Sequence, residues 1–298
     1  MKQILIARSA GFCFGVKRAI SIANETATKG VSEGESGCGQ TIRSLGPLIH
    51  NPQVVEELEK KGVRVVETVD DVDGGKVIVR SHGITRSDRA ALDAKGVGII
   101  DATCPFVNKA QEHARQLSSE GYAVIVVGDA NHPEVKSIIS YIAPGVPILT
   151  NLAELREGTG IRKAGIVAQT TQSFENLMQF VSAALKVFPE VRVFNTICNA
   201  TVLRQKESTA VAEKADVMVV LGGYNSANTC RLAEICREIN PRTHHVETAD
   251  ELPAGFLENV STVGVTAGAS TPQWIIEALI ARIRELWAGE SIRVEHYQ

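Results

Sequence analysis

Three cysteines carry the first chemical signal. Cys13 sits in "SAGFCFGVKRA", residues 9–19, directly behind the strand-like run Ile4-Leu5-Ile6-Ala7. Cys104 ends "VGIIDATC" and Cys198 ends "VRVFNTIC", two further strand-like runs that close on a small polar loop and a cysteine. The spacings are nearly equal, 91 residues from Cys13 to Cys104 and 94 from Cys104 to Cys198. Thiolates are soft ligands that suit zinc, copper(I) or iron–sulfur clusters. Structural zinc sites use closely paired cysteines, and none of these three belongs to such a pair. Isolated cysteines converging from three modules can instead hold a [4Fe–4S] cluster, one per chain. Three cysteine ligands then leave one open iron, and such a centre supplies electrons and Lewis acidity. Cys38, Cys230 and Cys236 lack this setting and read as small buried hydrophobes. Cys198 also has a C-x5-R spacing with Arg204, as a cysteine phosphatase loop would, but "CNATVLR" has no glycine to curl amides around a phosphate.

A second group of residues suits an oxyanion. His50, His82 and His132 fall where strands end or helices open, beside Ser226, Asn228, Thr170, Thr171 and Ser270. Imidazoles, amides and hydroxyls are hydrogen-bond donors for a guest with many acceptor oxygens. Helix N-termini add partial positive charge, so a phosphate or diphosphate is the natural guest. Glu134 follows His132 by two residues. A site that adds electrons must also deliver protons, and a carboxyl linked through Thr170 can do so.

The elements that must position these groups repeat along the chain. After Cys104 comes a helical pattern through Val107, Ala110, Ala114 and Leu117, then the strand-like "AVIVVG"; after Cys198 the matching strand is "DVMVVLG". Gly128 and Gly222 each lie 24 residues after their cysteine, and Asn131 and Asn225 each lie 27 after. The helices "HNPQVVEEL", "HPEVKSII" and "SANTCRLAEI" follow, with a divergent lead-in "GESGCGQT" in the first module. Short strands are expected at 63–67, 146–150 and 244–247, and longer ones in "KVIVRSHGIT", "AGIVAQTTQS" and "TVGVTAGAST". In the last helix Trp274, Ile275, Leu279, Ile283 and Leu286 sort mostly to one face. Alternating strands and helices predict parallel α/β sheets, whose ligands gather at the carboxyl ends of the strands. The expected fold is three pseudo-threefold-related α/β modules, a trefoil around a central iron–sulfur cluster. Their bounds are 14–103, 104–196, and 1–13 plus 197–298, the first strand joining the third module.

Composition narrows the partners. A net charge of −3 with 22% charged residues gives no basic excess for nucleic acid. No stretch reaches the roughly 20 apolar residues needed to cross a bilayer, and the apolar run at the start is too short for a signal peptide. The reading is a cytoplasmic protein, with metal binding or catalysis favoured over disulfides for the six cysteines.

Nine ordered segments carry a family resemblance: "GFCFGVKRAI", "LGPLIHNPQVV", "RSHG", "DATCP", "HPEV", "AQTTQS", "TICNAT", "NSANTCRLAE" and "VTAGAST". Together they resemble the LytB-type family of reductases, which make isopentenyl and dimethylallyl diphosphate from 4-hydroxy-3-methylbut-2-enyl diphosphate in the last step of the non-mevalonate route. The resemblance runs from about residue 3 to residue 285. It implies a trefoil around a [4Fe–4S] cluster on Cys13, Cys104 and Cys198, and a two-electron, two-proton dehydroxylation fed by ferredoxin or flavodoxin. It also implies that His50, His82, His132, Ser226, Asn228 and Ser270 grip the diphosphate. Glu134 with Thr170 would handle the hydroxyl and the proton, and Gln169 and Thr171 would line the same wall. Family members commonly show two serines where this chain has Ser226-Ala227, so one hydroxyl donor is missing. Two other classes stay open on the residues alone: a non-catalytic iron–sulfur sensor or anion-binding module, and a zinc protein.

Overall fold

The computed structural model describes residues 1–32, 41–155 and 160–297. Cys38 and nearly all of the "GESGCGQT" lead-in lie outside the described residues. In chain order, β1 (Lys2–Ile6) leads into α1 (Phe14–Ser32), β2 (Ile42–Leu45), α2 (Pro52–Lys60), β3 (Val63–Val66), β4 (Lys76–Val79), α3 (Arg86–Ala94) and β5 (Gly98–Asp101). The same order then returns as α4 (Pro105–Ser119), β6 (Ala123–Val127), α5 (Pro133–Ser140), β7 (Ile148–Leu149), β8 (Lys163–Ala168), α6 (Phe174–Val187) and β9 (Glu190–Val193). It returns a third time as α7 (Asn199–Lys214), β10 (Val217–Leu221), α8 (Ala227–Ile239), β11 (Thr243–Val246), β12 (Thr262–Ala267), α9 (Gln273–Leu286) and β13 (Ile292–His296).

Among the described residues every strand pairing is parallel, in three sheets ordered β3-β2-β4-β5, β7-β6-β8-β9 and β11-β10-β12-β1-β13. The α/β class with parallel sheets is the one the alternating pattern predicts. In the third sheet β1 stands where β5 and β9 stand in the others, and β13 adds a fifth strand beyond it, with Lys2 opposite Ile292 and Ile6 opposite His296. The sequence reading assigned no strand to "SIRVEHYQ"; only two of its residues, Ile292 and Val294, are aliphatic, too short a pattern to stand out. The chain divides into two compact units. One comprises Met1–Val16, His50–Val54 and Asn199–Gln298; the other comprises Lys17–Ile49 and Val55–Cys198.

Parallel sheets need both faces covered, and their strands are accordingly apolar throughout. In the third sheet, Ile4, Ile6, Val219, Val263 and Val265 pack with Ile275, Ile276, Leu279 and Ile283 of α9. Their neighbours Leu5, Met218 and Val220 turn to the other face, against Val211 of α7 and Leu232 and Ala233 of α8. In α9 it is Ile276 that is buried, while Trp274 is 45% exposed. At about 100° per residue Ile276 flanks the stripe of Ile275, Leu279 and Ile283, whereas Trp274 falls well away from it, which corrects the expectation that Trp274 shares the buried face. The second sheet repeats the plan. Val124, Val126 and Val167 meet α4 and α5 on one face, and Ile125, Val127 and Ile166 meet α6 on the other. The α4 stripe Val107, Ala110, Ala114 and Leu117 is fully buried as its spacing predicts.

Gly165 shows how tightly α4 lies on this sheet. A Cβ there would come within 2.4 Å of Leu117 Cδ2, and Leu117 has no exposed surface into which to retreat. Gly165→Val is therefore expected to destabilise the protein by about 1–3 kcal/mol, read as a shift of the denaturant midpoint of the metal-free chain. An unchanged midpoint would show that Leu117 yields freely.

Candidate functional site

The three spaced cysteines occupy the same local position. Each immediately precedes the first residue of a helix: Cys13 before α1, Cys104 before α4 and Cys198 before α7. Each is also fixed by its own amide. Cys104 N–H donates to Ser81 O at 2.9 Å, Cys198 N–H to Thr170 O at 3.1 Å, and Cys13 N–H to Ala269 O at 3.2 Å. Each acceptor lies two residues beyond the end of its strand, β4, β8 or β12. One backbone geometry thus serves all three sulfur-bearing loops. All three cysteines are half-buried. Cys13 Sγ also accepts the Val16 amide at 3.5 Å, as a helix-capping acceptor does. Cys236 is fully buried, as its reading as a core residue requires. Cys230, read the same way, is not: it is half-buried and its Sγ donates to Tyr224 O at 3.0 Å.

The residue after each acceptor carbonyl is one of the predicted oxyanion donors: His82, Thr171 and Ser270. His82 lies on a turn closed by Gly83 N–H to Arg80 O. Gly83 has φ +75°, and a Cβ there would meet Gln111 Nε2 and Ser137 Oγ at 2.8 Å, so glycine is required. Gln111 donates to Ser137 and Ser137 to Ile84 O, which braces the turn from α4 and α5. The His82 ring meets His132 edge-on, with centroids 5.4 Å apart. His132 caps α5, and its Nδ1 accepts the Glu134 amide at 3.1 Å. That bond needs a bare Nδ1, so the neutral ring carries its proton on Nε2.

Glu134 is the most unusual group in this half. It lies in the first turn of α5, 2% exposed. Its Oε1 accepts Thr170 N–H at 2.6 Å and its Oε2 accepts the Thr170 hydroxyl at 3.0 Å. Burial raises its pKa from the ordinary 4.5 to about 7, against the opposing pull of the two Thr170 bonds. Gln169, beside it, is 1% exposed. Its Oε1 accepts Asp129 N–H at 3.2 Å, while its buried Nε2 has no partner among the described residues. Buried amide protons without a protein acceptor are what a bound oxygen-rich molecule would satisfy.

The other unit carries Cys13, His50, Ser226, Asn228 and Ser270. Ser226 caps α8 by accepting Thr229 N–H. Asn228, 5% exposed, has a buried Nδ2 without a partner among the described residues. Ser270 Oγ donates to His50 O at 3.0 Å, and Gly223 lies close to the same carbonyl, where a Cβ would sit at 2.7 Å. The α2 cap is not His50 but Asn51, whose Oδ1 accepts Val54 N–H. Asn51 is 1% exposed and its Nδ2 also has no partner. It is the positional counterpart of His132 and Ser226, each standing directly before its helix, and the sequence reading missed it. Aligning the three residues that precede "P-Q", "P-E" and "A-N" would have found it.

The cysteine set fits an iron–sulfur group. Three soft donors, each with its amide already bonded, stand singly at helix starts and not as a zinc-type pair. Among the described residues no helix is long and apolar enough to cross a membrane.

Comparison with known proteins places the whole chain in one family. The sequence model of the LytB protein family matches residues 4–284. Proteins named 4-hydroxy-3-methylbut-2-enyl diphosphate reductase from Pelobacter propionicus and Geobacter metallireducens are each 51% identical over 284 residues, spanning 95% of this chain and 98% of their own length. A solved structure of (E)-4-hydroxy-3-methyl-but-2-enyl diphosphate reductase, described as the terminal enzyme of the non-mevalonate pathway, is 45% identical. It covers 96% of this chain and all of its own, with TM-score 0.70. The corresponding reductase structure from Plasmodium falciparum is 27% identical and covers 99% of this chain and 92% of its own, with TM-score 0.88. With the family model matching residues 4–284 and relatives 51% identical over 95% of its length, the chain belongs to the LytB protein family.

Proposed function

We propose that the chain is the iron–sulfur reductase of the last non-mevalonate step. It converts 4-hydroxy-3-methylbut-2-enyl diphosphate, with two electrons and two protons, to isopentenyl or dimethylallyl diphosphate and water. The observation that carries this reading is Glu134: a carboxyl 2% exposed, held by Thr170 and kept near pH 7 by burial. A sensor or a plain anion-binding module has no use for such an acid, whereas removing a hydroxyl as water requires a proton donor. Relatives sharing half of the residues and bearing the reductase's name support the same substrate.

The cofactor in this reading is a [4Fe–4S] cluster on Cys13, Cys104 and Cys198, which when bound supplies single electrons and Lewis acidity. Of the three modules, 14–103, 104–196, and 1–13 plus 197–298, the second carries Cys104 and the third carries Cys13 and Cys198, each cysteine standing at a module boundary. His50, His82, His132, Ser226, Asn228, Ser270 and Thr171 donate to the diphosphate oxygens. The unpartnered Gln169 Nε2 and Asn228 Nδ2 are donors that such a guest completes. Thr170 passes a hydrogen bond from the substrate hydroxyl to Glu134. Its own hydroxyl is already directed at the carboxylate, so it can present its lone pairs to the substrate. Electrons come from ferredoxin or flavodoxin, in a cytoplasmic setting that keeps the thiols reduced.

Cys104→Ser is expected to lose the broad visible absorbance of the anaerobically reconstituted protein; full retention would remove Cys104 as a ligand. Glu134→Gln is expected to keep that absorbance and substrate binding, yet to lower turnover by about 10²–10⁴-fold. Turnover like that of the wild type would remove Glu134 from the reaction.

The raised pKa also has a sign for stability. Below 4.5 the carboxyl is neutral both folded and unfolded. Between 4.5 and about 7 only the unfolded chain ionises, so unfolding releases a proton and stability falls as pH rises, levelling off above about 7. Apo wild type should therefore lose stability relative to Glu134→Gln between pH 5 and 8, measured by parallel denaturant titrations. Parallel curves across that range would show that Glu134 is already ionised in the fold.

A further inference from the structure

The C-x5-R spacing that does not suit a phosphatase has another use. Arg204 lies on α7, 2% exposed, and its guanidinium grips the loop that leads to Cys13. Its Nε and Nη2 donate to Ser9 O at 3.1 and 2.7 Å, and Nη2 also donates to Gly11 O at 2.7 Å. One turn along α7, a Glu207 carboxylate oxygen accepts Ser9 N–H at 2.6 Å. Gly11 itself has φ +101°, and a Cβ there would lie 3.3 Å from Ile276 Cδ1 and 3.4 Å from Thr271 O. The loop therefore turns through one left-handed residue and is held by bonds from outside it. Those bonds come from two charged side chains of one helix and from the Cys13 amide on Ala269 O.

A parallel exists at the second cysteine. Arg18 of α1 donates to Thr103 O at 3.1 Å and to Asp101 O at 3.4 Å, the carbonyls just before Cys104. In each case the arginine contacts backbone carbonyls one to four residues ahead of a sulfur. A planar guanidinium spans two carbonyls at once, which a lysine ammonium on its single point does not. Groups that orient metal ligands from outside are worth about 10–100-fold in metal retention.

We propose that Arg204, aided by Glu207, is a positioning residue for the Cys13 ligand, holding its loop in the shape that presents sulfur to the iron–sulfur group. The proposal rests on the reading of Cys13 as a ligand. The test uses the full chain, reconstituted anaerobically with iron and sulfide, as wild type, Arg204→Met and Arg204→Lys. Two quantities are read: the rate at which an iron chelator bleaches the visible absorbance, and the electron paramagnetic resonance spectrum after dithionite reduction. Arg204→Met is expected to bleach at least about tenfold faster with an altered spectrum, and Arg204→Lys to fall between it and wild type. Wild-type bleaching and spectrum in Arg204→Met would overturn the proposal; where that variant fails to fold, wild-type behaviour of Arg204→Lys does so. A lowered melting temperature with an unaltered spectrum and rate would also overturn it, since that is the mark of a merely structural arginine. Wild-type protein that takes up no iron would instead overturn the function proposed above, with the two failures distinguished by the control.

Discussion

A single backbone hydrogen bond, made three times, governs the rest of the architecture. The amide of each spaced cysteine donates to a carbonyl two residues past the end of the neighbouring strand. For that bond to form, the strand carrying the cysteine must lie beside the strand carrying the carbonyl, in parallel and in register. β1 beside β12, β5 beside β4 and β9 beside β8 meet this condition. In the first two sheets the remaining strands lie on the other side of the acceptor strand, and in the third β13 also pairs beyond β1. The residue after the acceptor is placed next to the sulfur loop by chain geometry alone, and there the sequence puts His82, Thr171 and Ser270. One covalent repeat therefore delivers a soft ligand and an oxyanion donor together.

Glu134 shows what the surrounding fold costs and gains. A carboxyl with almost no exposed surface carries a desolvation penalty that two Thr170 bonds offset only in part. Both partners stand at matched places, Thr170 just past β8 and Glu134 in the first turn of α5. The sheet that aligns β6 with β8 thus also sets the distance between acid and hydroxyl. The same placement gives His132 its tautomer, since its Nδ1 is occupied by the Glu134 amide.

Much of this was legible in the chain because it is periodic. The 24- and 27-residue offsets from Cys104 and Cys198 mark real equivalences, the glycine after β6 and β10 and the polar loop before α5 and α8. The buried stripe of α4 was visible because four apolar residues recur at helical spacing. What escaped lacked such periodicity. Asn51 hides behind the more conspicuous His50, and only the position of the helix start separates them. β13 has too few apolar residues to announce a strand, and its pairing partner lies at the far end of the chain. Arg204 was noticed for its spacing to Cys198, yet its contacts are with Ser9 and Gly11, some two hundred residues away in sequence. Trp274 is large and apolar, yet the phase set by Ile275, Leu279 and Ile283 places Ile276, and not Trp274, against the core.

The place of β1 has a consequence for biosynthesis. Its partners β12 and β13 lie about 260 and 290 residues downstream, so β1 waits for its sheet until those distant strands have been translated. Loop closure over such a span is slow, and an unpaired strand edge invites wrong partners meanwhile. The other two sheets close over far shorter stretches of chain, which lets them form while β1, and the cysteine loop just behind it, still lacks its partner strands.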